Sequence, residues 1–435
     1  MKKFLYSVFM LAAVVLAACS NDDNGDIQPK RGMTLNASVE DLSSRATMTD
    51  ESGTWKFAFA ANDKVSVSNN KISNYYTFTN NGSQFTSAQA EATTENADWY
   101  AYFPGNEVGL TKQTGNFADV ANKFAVAGKT AQTTTGENGL SITLKSKVAV
   151  LRVVAVDKKG ILDINVKTAD GGWVTGLTAT KDAAEFTVST SDTKTTLLQK
   201  AEGKVQAGEI NYVVVPAGVK IEIYNGDLLL NKTKDAGLTA GKYYTITSGP
   251  TKGTETATLA NGTTETVEWV QLWAGGPRFA TQNVAEEMTW TDAANTGKEY
   301  VWGENWRTPT AAEVTEEGGL QAEWNTKEGK WVVKEGSPTI NVTTKDGIEE
   351  TVEFTGVQPG YTKNTLTLYN KIDSHGYSHF NFWTTTENNG YGCMYRIMID
   401  KGIIGIFGPS SFESKDTKCL VRPVLSIENI TNNKK

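Results

Sequence analysis

The chain has 435 residues with 42 Lys and Arg against 49 Asp and Glu, a formal net charge of −7, so it offers no basic face for the phosphates of a nucleic acid. A chain of this length exceeds what one hydrophobic core organises, and two to four domains are expected. Two histidines and three cysteines leave little material for His-rich metal or general-base chemistry.

In chain order, Lys2 and Lys3 precede an apolar run from Phe4 to Ala18, which is the layout of an export signal over residues 1–18. The run is short for a membrane span, which needs about 20 apolar residues. Its exit, Leu16-Ala17-Ala18-Cys19, resembles a bacterial lipobox. The resemblance implies a lipoprotein whose Cys19 carries acyl chains such as palmitate and holds the chain on the outer membrane without a transmembrane helix. Residues 19–32 form an acidic tether with too little apolar surface to fold. Their start, Ser20-Asn21-Asp22-Asp23, resembles the export signal of surface-exposed lipoproteins in Bacteroidetes.

From about residue 33 to 248 the chain consists of short alternating runs bounded by Gly, Asn and Asp, the pattern of an all-β sandwich. Lys64-Val65-Ser66-Val67-Ser68, Trp99 to Phe103 and Val148 to Val156 are examples. Glu209 to Val215 and Val219 to Tyr224 read as a hairpin around Pro216-Ala217-Gly218. The predicted fold is mainly β: two tandem β-sandwich subdomains over 33–136 and 137–248, then a separate α+β domain. Gly249 to Gly253 reads as a Gly/Pro linker. Eight of the 11 tryptophans lie beyond it, so residues 254–428 are assigned to that separate domain and 429–435 to a frayed tail.

Three stretches of the first half resemble the fimbrillins, surface lipoproteins of Bacteroidetes: Ser44-Arg45-Ala46-Thr47-Met48-Thr49 ahead of Trp55, Ala61-Asn62-Asp63-Lys64-Val65-Ser66-Val67, and Gly241-Lys242-Tyr243-Tyr244-Thr245-Ile246. The resemblance implies transthyretin-like sandwiches and assembly into a pilus by strand exchange. An arginine-specific protease removes a strand, and the groove left behind accepts a strand from another fimbrial subunit. Removal leaves backbone donors and acceptors unpaired beside an apolar slot, which a donated strand satisfies. Carried onto this sequence, Met33 to Val39 is the removable strand and Arg45-Ala46 the processing bond. Arg31 is the runner-up, and a cut there frees the anchor without opening a groove.

In the last domain, Trp269 to Val284, Trp306-Arg307-Thr308-Pro309-Thr310-Ala311-Ala312-Glu313, Phe382 to Glu387 and Val421-Arg422-Pro423-Val424 occur in that order. The series resembles the C-type-lectin-like domain known as the Fibrobacter major paralogous domain. Read from its residues, the second stretch is a helix entry. Either Thr308 caps with Pro309 at the first helical position, or Thr310 and Glu313 form a capping box. Trp302 and Trp306 read as core anchors. His375 and His379 have helical metal spacing but sit among glycines without a third ligand, so no metal and no cofactor are expected. With Cys19 lipidated, Cys393 and Cys419 remain, and an exported location leaves their pairing as a disulfide open.

Tyr361, Tyr369, Tyr377, His379 and Trp383 form the candidate ligand-binding set, since aromatic faces interleaved with Asn and Thr suit a host or bacterial glycan or a protein receptor. The alternative is that they fill a loop-rich core. No nucleotide loop, metalloprotease motif or serine elbow is present, and no enzyme is expected. The resemblance implies a fimbrial tip adhesin, because a lectin-like domain occupies the end that donates a strand in shaft subunits. The runner-up is a lipid-anchored glycan-binding protein serving polysaccharide uptake.

Overall fold

The computed structural model describes residues 32–40, 59–90, 97–132, 139–157, 161–258, 262–284, 287–294, 302–303, 305–345, 348–369, 371–372, 378–400 and 403–425. Cys19, Arg31, Arg45, Ala46, His375 and Tyr377 lie outside the described residues, as do the signal segment and the 429–435 tail. The regular secondary structure of the described residues is overwhelmingly strand, in agreement with the mainly β expectation.

The first unit is a closed barrel. Its strands are β1 (Met33–Val39), β2 (Lys64–Asn69), β3 (Tyr76–Asn80), β4 (Phe85–Ser87), β5 (Ala97–Phe103), β7 (Val126–Gln132) and β8 (Gly139–Ser146), while β6 (Glu107–Gly109) lies outside it. The order around the barrel is β1-β4-β3-β2-β5-β7-β8. Period-2 alternation turns Met33, Leu35, Val65, Val67, Phe78, Trp99, Leu140 and Leu144 inward. Gly128 lets β7 approach β8, because a Cβ there would stand 2.2 Å from the Thr143 carbonyl oxygen.

β8 was expected in the second subdomain, but it pairs with β1 and with β7. The join therefore moves from residues 136/137 to Lys147, between β8 and the next strand. The reason is non-local. The partner of β8 lies about a hundred residues upstream, where alternation within β8 carries no information about it.

The second unit packs two sheets. β9 (Val148–Val154), β10 (Leu162–Thr168), β11 (Trp173–Thr180), β12 (Glu185–Ser191), β13 (Leu198–Lys200), β14 (Ile210–Pro216), β15 (Ile221–Asn225), β16 (Leu228–Lys232) and β17 (Tyr243–Thr247) make it up. One sheet runs β12-β11-β10-β15-β16, and the other runs β14-β9-β17. The expected hairpin around Pro216-Ala217-Gly218 is corrected: both runs are strands, but β14 pairs with β9 and β15 with β10. The turn, with Gly218 at φ 70°, carries the chain from one sheet to the other.

Barrel and sandwich are welded together. β6 leaves the barrel to pair with β11. The Tyr102 hydroxyl donates to the carbonyls of Thr180 and Ala183 at 2.9 and 2.6 Å, and burial is the main cause that raises its pKa to about 12. This cover explains why Ser66 and Ser68, on the outer face of β2, are buried as well as the inward Val65 and Val67.

The linker assigned to 249–253 is packed rather than loose, because strand Lys252–Thr258 already begins inside it. The Gly275 amide donates to the Val156 carbonyl at 2.7 Å. Val154, Val156, Ala274 and Tyr361 form a small shared core between the second and third units.

The third unit contains a five-stranded sheet in the order Lys252–Thr258, Thr264–Gln271, Arg278–Ala280, Val424–Leu425 and Trp306–Arg307. A three-stranded sheet (Thr339–Lys345, Ile348–Thr355, Thr365–Tyr369) and a four-stranded meander from Lys371 to Glu413 pack with it. Its described helices are two single turns, Trp290–Ala293 and Ala311–Val314.

Candidate functional site

Two regions bear on function: the strand that closes the barrel, and the aromatic surfaces of the third unit. β1 runs antiparallel to β4, with Leu35 opposite Phe85, and parallel to β8, with Leu35 opposite Leu140. It is thus bonded on both edges. Met33 and Leu35 are fully buried, and Ala37 and Val39 pack on the same core. The segment that follows carries Arg45, six residues beyond the end of β1.

The tryptophan-rich stretch of the third unit is scaffold. Trp302 and Trp306 are buried and meet edge to face with centroids 5.9 Å apart. The Trp306 indole N–H donates to the Thr256 carbonyl at 2.9 Å. Of the two predicted helix entries, the structure adopts the capping box: the Thr310 hydroxyl accepts from the Glu313 amide, and the Glu313 carboxylate accepts from the Thr310 amide. Thr308 instead donates its hydroxyl to the Ala293 carbonyl. Arg307 grips Glu313 with both terminal nitrogens. Fully buried Arg422 donates to the carbonyls of Ala280 and Thr367 at 3.1 and 2.8 Å, tying two sheets together.

Burial on its own raises the Glu313 pKa, but Arg307 and the Thr310 amide outweigh it, and the net shift is downward. A carboxyl with a lowered folded pKa contributes stability above its unfolded pKa, about 4.3, and loses it as pH falls through the folded value. Glu313→Gln is therefore expected to lower the melting temperature at pH 7, with the gap to the unsubstituted chain closing below about pH 4. Thermal melts across pH read this directly.

The four described members of the candidate aromatic set, Tyr361, Tyr369, His379 and Trp383, differ in exposure and do not form one open face. Tyr361 and Trp383 are completely buried, so their rings are closed to an external ligand. The Trp383 indole N–H donates to the Met288 carbonyl at 2.8 Å, and Tyr361 sits in the junction with the second unit. Tyr369 is exposed and His379 half-buried. Alternation within a strand shows that two faces differ, but not which one the neighbouring sheet covers. Cys393 and Cys419 stand as two buried thiols, and burial pushes the Cys393 thiol pKa up. Among the described residues no group of three His, Cys, Asp or Glu side chains could hold a metal ion.

The Tyr361 hydroxyl is buried with no hydrogen-bond partner. Tyr361→Phe removes an unsatisfied polar atom and is expected to be neutral or to stabilise by about 1 kcal/mol, as read by urea denaturation.

Sequence reading missed the hairpin Ala322–Asn325 and Lys330–Val333, where Trp324 stands directly opposite Trp331. Trp324 is 52% exposed, the most exposed tryptophan among the described residues. The signal was present at Trp324, which is flanked by Glu323 and Asn325, whereas Trp331 stands between Lys330 and Val332. A Trp between polar neighbours beside a Gly-containing turn marks a strand with an outward aromatic.

Three β units in series, the first closed by a terminal strand, are the architecture that fold and surface define. No family model matches the chain, and no curated protein matches it. Solved structures superpose on it at low scores. A fimbrial protein from Bacteroides ovatus has a TM-score of 0.26 at 11% identity, over 92% of this chain and 100% of its own. A fimbrial assembly protein from Parabacteroides distasonis has a TM-score of 0.25 at 10% identity, over 55% and 95%. A provisionally named cell adhesion protein from Bacteroides uniformis has a TM-score of 0.29 at 15% identity, over 55% and 97%.

Proposed function

We propose that the protein is a cell-surface fimbrial subunit that assembles by strand exchange and carries its recognition surface on the third unit. The observation that carries this reading is β1: a short strand, the first among the described residues, bonded on both edges and filling the barrel with Met33 and Leu35. Withdrawing it exposes two strand edges and an apolar slot, both of which an incoming strand satisfies. Arg45 follows β1 closely enough for one cut to release it.

In this reading Cys19 anchors the precursor at the outer membrane, and cleavage after Arg45 frees the subunit for assembly with other fimbrial subunits. The tip position in this reading follows from the lectin-like resemblance of the third unit, whose last described strand, Val424–Leu425, is buried and paired with Arg278–Ala280 and Trp306–Arg307. Recognition rather than catalysis is the proposed role of the lectin-like third unit.

The test is limited digestion of the purified chain with an arginine-specific protease, followed by mixing with shaft subunits and electrophoresis without boiling. A heat-sensitive ladder that Arg45→Ala abolishes supports the reading. A ladder that forms equally in Arg45→Ala contradicts it.

A further inference from the structure

β8 and β9 run on as a single strand from the barrel into the sandwich. Between them the Lys147 amide donates to the Ala125 carbonyl at 2.9 Å, and the Lys147 carbonyl accepts from the Ala217 amide at 3.2 Å. The opposite edge of this strand holds β1, with the Glu40 amide on the Leu144 carbonyl. Further along it holds β17, with the Val150 amide on the Lys242 carbonyl. The bonding residues are even-numbered in both places, so β1 and β17 flank the same edge.

Leu151, Val153 and Val213 turn into the sandwich core, which sends Arg152 and Tyr212 to the outer face. Tyr212 and Thr245 stand directly opposite Arg152, on β14 and β17. The Arg152 guanidinium lies 5.3 Å from the centre of the Tyr243 ring, and Phe117 meets Tyr212 edge to face at 5.1 Å. Phe117 is exposed, and Arg152, Tyr212, Tyr243 and Thr245 are half-buried. The neighbouring rows are closed. Val150 and Val214 are buried on one side, and on the other Val154 packs with Ala274 and Tyr361 of the third unit.

Arg152 has no counter-charge. Among the described residues it makes no hydrogen bond and no ion pair, and its Nε is buried without a partner. The four other described arginines each engage oxygen: Arg278 with Asp157, Arg307 with Glu313, Arg396 with Glu413, and Arg422 with two carbonyls. No outward position of β9, β14 or β17 carries a carboxylate. A guanidinium held beside a ring keeps its in-plane donors available to a carboxylate from outside.

Composition and charge select the partner. Tyr, Phe and Arg together characterise the centres of protein interfaces. The net charge of −7 opposes the approach of a polyanion, whereas a single carboxylate responds to the local donor. Leu144 and Arg152 are eight residues apart, roughly 26 Å along a strand. One domain about 30 Å across can therefore fill the β1 slot and reach Arg152 at once.

We infer that Arg152 and its aromatic rim are a second contact of the fibre, receiving an Asp or Glu side chain of the subunit whose strand replaces β1. This rests on the proposed strand exchange and adds a charged contact that selects the partner.

The chain cut by the arginine-specific protease is mixed with shaft subunits, and association is followed by light scattering at low salt and at about 0.5 M salt. Arg152→Gln should slow association about fivefold at low salt and flatten its salt dependence. Lys204→Gln, the same charge change at an exposed site, should do neither. Matching thermal melts show that each variant is folded. The heat-sensitive ladder should still form in Arg152→Gln after long incubation, because the β1 slot is untouched. Arg152→Lys, treated with a carbodiimide, should gain an amide crosslink from position 152 to an Asp or Glu of the shaft subunit, located by mass spectrometry. Association of Arg152→Gln at the unsubstituted rate, or a crosslink only to a second copy of the chain, overturns the contact and leaves strand exchange standing. A crosslink from position 152 to the shaft subunit without any ladder removes strand exchange and keeps the contact.

Discussion

A chain cut after Arg45 and stripped of β1 should melt its barrel roughly 10–20 °C below the intact chain, given about 5 kcal/mol lost and 2–4 °C per kcal/mol for a unit of this size. The loss has two sources. Met33 and Leu35 are fully buried, and emptying one such position costs about 2–5 kcal/mol. The backbone groups of β4 and β8 that face β1 also lose their partners. Because total stability is only about 5–15 kcal/mol, the stripped barrel is metastable, which is the state that strand exchange requires. A synthetic peptide of residues 32–45 should restore the melting temperature when added in excess. Leu35→Asp in that peptide should abolish the rescue, since it places a carboxylate in the slot between Phe85 and Leu140. An unchanged melting temperature after removal of β1 would show that the strand does not hold the barrel closed.

Trp306→Ala is expected to destabilise the third unit by about 3–5 kcal/mol. Trp306 is completely buried, its indole N–H is bonded to Thr256, and its ring packs on Trp302. Substitution removes the largest side chain at the point where strand Trp306–Arg307 meets Val424–Leu425 and the capped turn begins. Urea denaturation followed by tryptophan fluorescence should show an early transition, while the barrel and sandwich unfold later. Trp324→Ala, at a half-exposed position, should leave that transition nearly unchanged, and the contrast between the two variants separates scaffold from surface.

Local patterns in the sequence carried over well. The alternation in Lys64-Val65-Ser66-Val67 became β2, and the stretch Tyr243-Tyr244-Thr245-Ile246, matched by resemblance, lies in β17. The spacing from Thr310 to Glu313 became a capping box because both partners lie within one helical turn. Trp306 was legible as core because a cap and a strand end left it no other role. What failed depended on partners distant in sequence. β8 belongs to the barrel because β1 takes it as a neighbour, and β14 and β15 part company because β9 and β10 claim them. The same limit hid which of the candidate aromatics are covered. Tyr361 and Trp383 carry the composition of a sugar platform, but the neighbouring sheets bury them. Trp324, whose neighbours in sequence are no less polar, is 52% exposed.

The mature N-terminus of the protein recovered from assembled surface fibres tests the central claim most directly. N-terminal sequencing or intact-mass measurement should give a chain that begins at Ala46, without Met33 to Val39. Assembled protein that still begins at a lipidated Cys19, with β1 in place, would contradict assembly by strand exchange.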